Sequence, residues 1–380
     1  MDDFKVTPWE VEGEIDYKRL VEKFGLKVID NELKEKIRST VGDLHYTLER
    51  NIYFVHRDLD KLLDEYKKGN KFYLYSGRGP SGDVHLGHVS AWILLKWLQE
   101  KFQVPLIFQL TDDEKFLFKD NLSLKDTNKL AYENALDLMG VGFDPKLTRF
   151  VIDSEHISML YPHALKIADK INFSNVKATF GLNDSSSIGK IFFTAIQATP
   201  AMLLSELNGS DIRALIPCAV DQDPHFRIAR DVLPKLGYKK PSLVMSKLLP
   251  GIKGVKGNKM SSSDKNSAIF VNDSKKEVKK KIMKYAFSGG KPTLEEHRKE
   301  GGNPDIDIAY QYIYFFEKDT KKVKELYDGY KSGDILTGEM KKIAVDTIND
   351  FLENFRNNRK KFEGKIDKLL FKKGDFKNLK

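Results

Sequence analysis

Cysteine is almost missing from this chain: Cys218 is the one thiol in 380 residues. A single thiol excludes an internal disulfide and any thiolate cage around zinc, so packing alone must hold the fold, and a reducing, cytoplasmic compartment suits it. Long apolar runs are missing too. The longest, Ala91 to Leu95, stops at Lys96, far short of the ~18–20 residues that cross a bilayer, so no membrane role is expected. The N-terminus, Met1-Asp-Asp-Phe, lacks the basic and apolar stretches of a secretion signal. No internal repeat and no low-complexity linker interrupts the chain.

What is present describes a globular protein. Hydrophobic residues make up 41% and charged residues 31%, enough apolar material for a sizeable core, and the length favours two or three domains. The net charge of +9 is localised. Ten lysines face three acids between Lys253 and Lys284, and twelve Lys/Arg face six acids between Lys341 and Lys380. Such runs suit a polyanionic partner, although solvated helix faces account equally well for either run alone.

Residues 1–65 are polar with helical periodicity at Tyr17, Leu20, Val21 and Phe24, and read as an N-terminal extension packing on the catalytic domain. Phe72–Tyr75 and Val104–Leu110 read as strands around an amphipathic stretch, His88–Lys101, which makes a βαβ unit with parallel strands. A helix from Ser123 as N-cap to Gly140, and strands at Thr148–Ile152, Ile212–Pro217 and Ser242–Met245, continue the alternation. Ser274 and Glu277 form a capping box for a helix expected to reach Gly289-Gly290. Beyond it only helix signals appear, one of them from Thr337 to Leu370. The fold class is therefore α/β: a Rossmann-like parallel-sheet catalytic domain over residues 66–265 with a helical insertion, followed by an all-helical domain over residues 266–380.

Two segments carry chemistry. Gly77, Gly79 and Gly82 spell a formal dinucleotide fingerprint, but Pro80 interrupts it and the helical pattern starts only near His88. An NAD-dependent dehydrogenase would also need a ribose-binding acid ~20 residues on, whereas Asp112-Asp113 lies ~30 away. His85-Leu-Gly-His88 is more informative. At a strand-to-helix turn, amides and macrodipole favour a phosphate, Gly87 admits a nucleotide to the backbone, and two imidazoles donate. As a metal site it offers only two ligands. Lys259-Met-Ser-Ser-Ser263 stands in a glycine- and lysine-rich loop beginning at Gly251, and Lys259 supplies a point charge for a polyphosphate.

His-Leu-Gly-His followed by Lys-Met-Ser-Ser-Ser resembles the paired signature of class I aminoacyl-tRNA synthetases. Val6-Thr-Pro-Trp9, Tyr73–Pro80, Gln109–Lys115, Ala195–Ala198, Pro217–Pro224, Ala286–Gly290 and Leu336–Glu339 stand in the order seen in the tryptophanyl type of eukaryotes and archaea. The likeness runs from about residue 4 to beyond residue 340. Leu86, where valine or isoleucine is common, and the Ser262-Ser263 ending are small departures that touch no charge or imidazole.

That resemblance implies a cytoplasmic homodimer that joins L-tryptophan to ATP as tryptophanyl-adenylate and passes it to tRNA(Trp), with Mg²⁺ carried on the phosphates and no protein metal site. It implies catalytic roles for His85, His88 and Lys259, and ATP contacts from Arg78, Gly79, His85, Gly87, His88, Lys259, Ser261 and Ser262. Tyr75 and Gln109 would meet the indole N–H, and Glu114, Gln197 and Gln222 the α-ammonium. The helical domain would contact the anticodon region, with Arg356, Arg359, Lys360 and Lys361 neutralising tRNA phosphates. A tyrosyl-tRNA synthetase, which would pair a phenol hydroxyl, and a catalytically silent RNA-binding paralogue are the alternatives.

Overall fold

The structure is a computed structural model that describes residues 16–254, Met260 and residues 266–377, together with the backbone of two short strands, β1 (Lys5–Val6) and β2 (Val11–Glu12), paired antiparallel. The main sheet holds β3 (Lys27–Val28), β4 (Tyr53–Arg57), β5 (Phe72–Arg78), β6 (Leu106–Leu110), β7 (Thr148–Ile152), β8 (Arg213–Ala219) and β9 (Ser242–Ser246) in the order β3-β4-β9-β8-β5-β6-β7. The five strands from β9 to β7 are parallel, as the alternation of strand and helix signals requires.

Parallel strands are covered on both faces, which is why β5 and β6 read as nearly unbroken apolar runs. Successive β5 side chains alternate between two cores. Phe72 and Leu74 join the core that includes helices Leu86–Phe102 and Leu124–Met139 and the C-terminal helices, whereas Tyr73 and Tyr75 join the one beneath helices Ile157–Ala168, Ile188–Ala198 and Asp223–Val232. From β5 the chain winds outward through β6 and β7, then returns to lay β8 and β9 on the other side. The reversal of winding falls between β5 and β8, where doubly wound sheets open a crevice at their carboxyl ends.

The N-terminal segment does more than pack on this sheet. β4 pairs antiparallel with β9, and β3 with β4, so residues 27–57 extend the sheet by two strands. Tyr53-Phe-Val-His-Arg57 lies between two residues in the left-handed region, Asn51 and Asp58. Its strand character comes from pairing, with β3 on one side and, along most of its length, with β9 nearly 200 residues away on the other. Arg57 then grips the fully buried Asp223 through Nε and Nη2 at 2.8 and 3.0 Å. Arg50 reaches the other way: its guanidinium donates to the Tyr314, Glu317 and Lys318 carbonyls at 3.0, 2.6 and 3.1 Å, satisfying orphan acceptors where helix Ile308–Phe316 ends.

Two C-terminal expectations change. Helix Lys275–Tyr285 stops four residues before Gly289, because residues 286–290 run extended into a junction with Asn303 and Asp307. Helix Thr337–Lys360 stops ten residues before Leu370. The chain turns at Gly364, in the left-handed region, and lays Leu370 beside Phe150, with the Phe371 N–H donating to the Phe150 carbonyl at 2.8 Å. The tail thus covers the outer edge of β7, a common guard against edge-to-edge pairing.

The expected tRNA cluster is divided by the same packing. Arg359 Nε donates to Asp137 at 2.7 Å, and Arg356 Nη1 donates to the Asp273 carbonyl at 3.2 Å. Arg359 fastens the long helix to the catalytic half and Arg356 fastens it to the segment leading into helix Lys275–Tyr285, which leaves Lys360 and Lys361 exposed. In the other basic run, Lys276, Lys279, Lys280 and Lys284 project from one short helix into solvent.

Candidate functional site

A cleft of about 260 Å³ opens at the carboxyl ends of β5 and β8. Of the residues expected from sequence, Arg78, Gly79, His85, Gly87, His88, Glu114, Gln197 and Gln222 line it. Tyr75 and Gln109 lie directly behind that lining, each 0% exposed. Lys259, Ser261 and Ser262 lie outside the described residues. Met260 between them is buried, lines the cleft, and would stand 3.3 Å from a Cβ at Gly87, so this one residue meets the His-Leu-Gly-His turn.

That turn is held from both sides. His85 is extended and caps helix Leu86–Phe102, with its own N–H donating to His88 Nδ1 at 3.3 Å. The Leu86 N–H donates to the Ile269 carbonyl and the Val271 N–H to the Val84 carbonyl, at 2.9 and 3.0 Å. The two imidazoles stack with centroids 3.6 Å apart. Gly87 is needed because a Cβ would press within 3.1 Å of the His85 ring. The result is a helix N-terminus flanked by two ring N–H donors, an arrangement suited to phosphate oxygens.

Arg78 is a bracing residue here. Its guanidinium donates to Asn134 Oδ1 and to the Gly82 carbonyl at 3.1 Å, fixing the loop between β5 and the helix. Burial pulls it down to about 10, against the carboxylates of Asp137, Asp83 and Glu114. Gly79 allows Glu114 and Lys115 to fold over the loop, since a Cβ there would lie 2.5 Å from Glu114 Oε2 and 2.0 Å from Lys115 Cε.

Glu114 accepts from Thr111 and from Lys115, each at 2.7 Å. Burial pushes its carboxyl up, but the Lys115 ammonium and the two hydrogen bonds outweigh burial and hold it below the usual range. It is a pre-set anion. His225 beside it was not legible as a site residue, although it lies three positions after Gln222. It is buried among Phe180 and Phe193, and burial lowers its imidazole to about 4, against the attraction of Glu114. At neutral pH it is uncharged and leaves Glu114 as the anion facing a cationic group.

Below this end the Tyr75 hydroxyl lies 2.6 Å from Gln109 Oε1 and 2.8 Å from the Gln197 carbonyl, with Phe226 edge-on to its ring. Gln109 Nε2 donates to both carboxyl oxygens of Asp153 at 2.9 and 3.0 Å. Asp153 was likewise invisible from sequence; it directly follows β7, two strands from Tyr75. Thus one end offers donors for polyanionic oxygen, and the other offers an anion above a polar floor set among apolar side chains. An amino acid and a nucleoside polyphosphate can lie there with the carboxylate of one near the phosphorus of the other.

A doubly wound sheet with the His-Leu-Gly-His turn at its switch point defines the class I aminoacyl-tRNA synthetases. The family model for class I tRNA synthetases of the W and Y group matches residues 67–353, and the chain belongs to that family. Its relatives fall on the tryptophan side. The chain is 47% identical to the tryptophan–tRNA ligase of Saccharolobus solfataricus over 98% of this chain and 99% of the relative. It is 45% identical to the cytoplasmic tryptophan–tRNA ligase of Saccharomyces cerevisiae over 96% and 88%. The tryptophanyl-tRNA synthetase of Encephalitozoon cuniculi, solved bound to tryptophan, superposes with a TM-score of 0.88 at 36% identity, covering 96% of this chain and 100% of that one.

Proposed function

We propose that this cleft joins L-tryptophan to ATP and that the chain passes the activated amino acid to tRNA(Trp), working in the cytoplasm. The enzyme is a ligase. The observation that carries the reading is the pairing within one cleft of a phosphate-binding turn, His85 to His88, with the Glu114 anion above the Tyr75–Gln109 floor. The amino acid's carboxylate is already ionised, so attack on the α-phosphorus needs no general base; catalysis is in-line positioning and stabilisation of charge on phosphoryl oxygens as pyrophosphate leaves. His85 and His88 donate to those oxygens, Gly87 lies under the adenosine, and Lys259, with Ser261 and Ser262, reaches the departing pyrophosphate. Mg²⁺ arriving with the ATP would supply charge shielding for its phosphates, with no protein ligand assigned to it.

Glu114, Gln197 and Gln222 take the α-ammonium, and the floor accepts the indole N–H. Neither described side chain of the floor, Tyr75 or Gln109, is a carboxylate that would pair a phenol hydroxyl, which favours tryptophan over tyrosine. The test is ATP–pyrophosphate exchange with each amino acid: exchange driven by tryptophan and not by tyrosine is expected, and the reverse would sink the reading.

For tRNA, the exposed lysines of helix Lys275–Tyr285 replace the arginine cluster as the candidate phosphate contacts. Changing Lys276, Lys279, Lys280 and Lys284 to Gln is expected to weaken tRNA binding and flatten its dependence on log salt by up to ~0.7–0.9 for each phosphate no longer neutralised, leaving pyrophosphate exchange intact. Parental affinity and slope in the variant would move the tRNA-binding face elsewhere.

The chain acts as a homodimer in this reading. Ile157, Tyr161 and Leu165 recur every four residues on helix Ile157–Ala168 and are 38%, 48% and 46% exposed, an apolar stripe suited to a second copy. Sedimentation of Leu165→Glu should show monomers where the parent shows dimers; a parent that sediments as a monomer removes the proposal.

A further inference from the structure

The polar floor has a direction. Tyr75 carries one hydroxyl proton, and both of its near neighbours, Gln109 Oε1 and the Gln197 carbonyl, are acceptors. With that proton given away, what the hydroxyl keeps, just behind the cleft lining, is a lone pair, and Gln109 Oε1 keeps a second one. This polarity depends on which way the Gln109 amide is turned. Rotated by half a turn, its NH₂ would donate to the Tyr75 oxygen while the Tyr75 proton stayed on the Gln197 carbonyl; the Oε1 lone pair would be lost from this side and the second amide N–H would take its place, making that part of the floor a donor. Nothing in the amide itself prefers one orientation, because its two ends have nearly the same shape.

Asp153 removes that freedom. Its carboxyl is 1% exposed, and both oxygens lie within 3.0 Å of Gln109 Nε2; a turned amide would set Oε1 against them. The carboxyl is itself directed by a hydrogen bond with Asp113. Burial drives Asp153 well above the usual carboxylate range and the neighbouring Asp113 adds to it, while burial raises Asp113 as well, so the two carboxyls hold a proton between them. With that proton in the hydrogen bond between the carboxyls, what Asp153 turns toward the Gln109 NH₂ is acceptor oxygen. Asp112 is occupied separately by the Ser154 N–H and hydroxyl.

We infer that Asp153, backed by Asp113, is a specificity-determining positioning residue: it fixes the Gln109 amide so that the floor of the pocket presents acceptors alone and selects a substrate ring bearing an N–H. The inference rests on the proposed reading of this floor as the place where the indole N–H is met.

The probe is the tryptophan analogue with benzothiophene in place of indole, which keeps the ring's shape and replaces the N–H by sulfur. Rates of pyrophosphate exchange give kcat/KM for tryptophan and for the analogue. The parent enzyme is expected to favour tryptophan by ~10-fold or more, the usual consequence of leaving a buried polar group unpaired. Asp153→Leu should lower that ratio to within about threefold of unity, chiefly through KM for tryptophan. Asp153→Asn is the rescue: its carbonyl accepts from Gln109 while its NH₂ donates to Asp113, in place of the shared proton, and the parental ratio should survive. Should Asp153→Leu not fold, Asp153→Ser keeps a hydroxyl for Asp113 but stops short of Gln109, and the ratio should fall in the same way. A ratio that stays parental in the Leu or Ser variant, with both substrates slowed alike, overturns the inference and leaves Asp153 a packing residue. Loss of the ratio in Asp153→Asn as well overturns it from the other side. A parent enzyme with no preference for tryptophan overturns the floor reading itself, a failure visible before any variant is made.

Discussion

Replacing Gly79 with alanine is expected to slow tryptophan-dependent pyrophosphate exchange by ~10²-fold while hardly moving the melting temperature. The backbone at Gly79 is not left-handed, so alanine meets no strain there. What its Cβ would strike are the far ends of two side chains, Lys115 Cε at 2.0 Å and Glu114 Oε2 at 2.5 Å. Such ends swing away at small cost to stability, but here they are the working parts. Glu114 is pinned by Thr111 and Lys115, and in the proposed reading it is the anion that takes the α-ammonium. A charge-assisted hydrogen bond of that kind contributes about 1.5–3 kcal/mol, and a displaced carboxylate loses most of it. The loss should appear largely in KM for tryptophan, since Glu114 meets a group that does not change during the reaction. Parental kinetics in a folded Gly79→Ala enzyme would show that Glu114 is not the ammonium's partner.

The largest stability effect is expected at Gly289. Its added Cβ would stand 1.9 Å from the Asn303 carbonyl oxygen and 2.9 Å from its carbon, both backbone atoms. Neither neighbour can move alone. The Asn303 N–H donates to the Gly289 carbonyl at 2.8 Å, and the Gly289 N–H donates to Asp307, which is fully buried and also holds the Tyr330 hydroxyl at 2.8 Å and caps helix Ile308–Phe316. Opening this junction breaks several buried hydrogen bonds at once. Gly289→Ala should therefore cost ~4 kcal/mol or more, at the upper end of single substitutions. Gly338→Ala is the control with the opposite sign. It lies in the first turn of helix Thr337–Lys360 with nothing within 4 Å of the new Cβ, and alanine there should stabilise by up to about 1 kcal/mol. Urea unfolding of both variants measures the difference, and equal midpoints would contradict this account of the junction.

The junction also explains a motif. Ala286-Phe-Ser-Gly-Gly290 stood out in the sequence as part of a family resemblance, with no chemistry of its own. In three dimensions Gly289 and Gly290 are places where backbone and the Thr337 hydroxyl approach too closely for any side chain. They hold the C-terminal helices together and take no direct part in the cleft. Arg356 and Arg359 make the complementary point. A basic cluster on one helix is indistinguishable, along the chain, from a phosphate-binding patch; Asp137 and the Asp273 carbonyl, 222 and 83 residues away, give these two arginines their partners.

Local pattern determined much of this protein by itself. Apolar runs of strand length between helical stretches gave the parallel sheet, Ser123 and Ser274 marked helix starts that the structure places at Leu124 and Lys275, and the His85–His88 turn was legible because its glycine and imidazoles are neighbours in sequence. Those signals are carried by residues within a turn or two of each other, where periodicity and capping act. Tertiary structure decided the rest. It made a strand of Tyr53–Arg57 by pairing it with β3 and β9, turned the tail back over β7 before the helix could reach Leu370, and gathered Tyr75 from β5, Gln109 from β6 and Asp153 from just after β7 into one directed hydrogen-bond chain. A strand edge, a buried carboxyl and an amide's orientation acquire their meaning only from partners brought close by the fold, because desolvation and hydrogen bonding act through distance in space and are blind to separation along the chain.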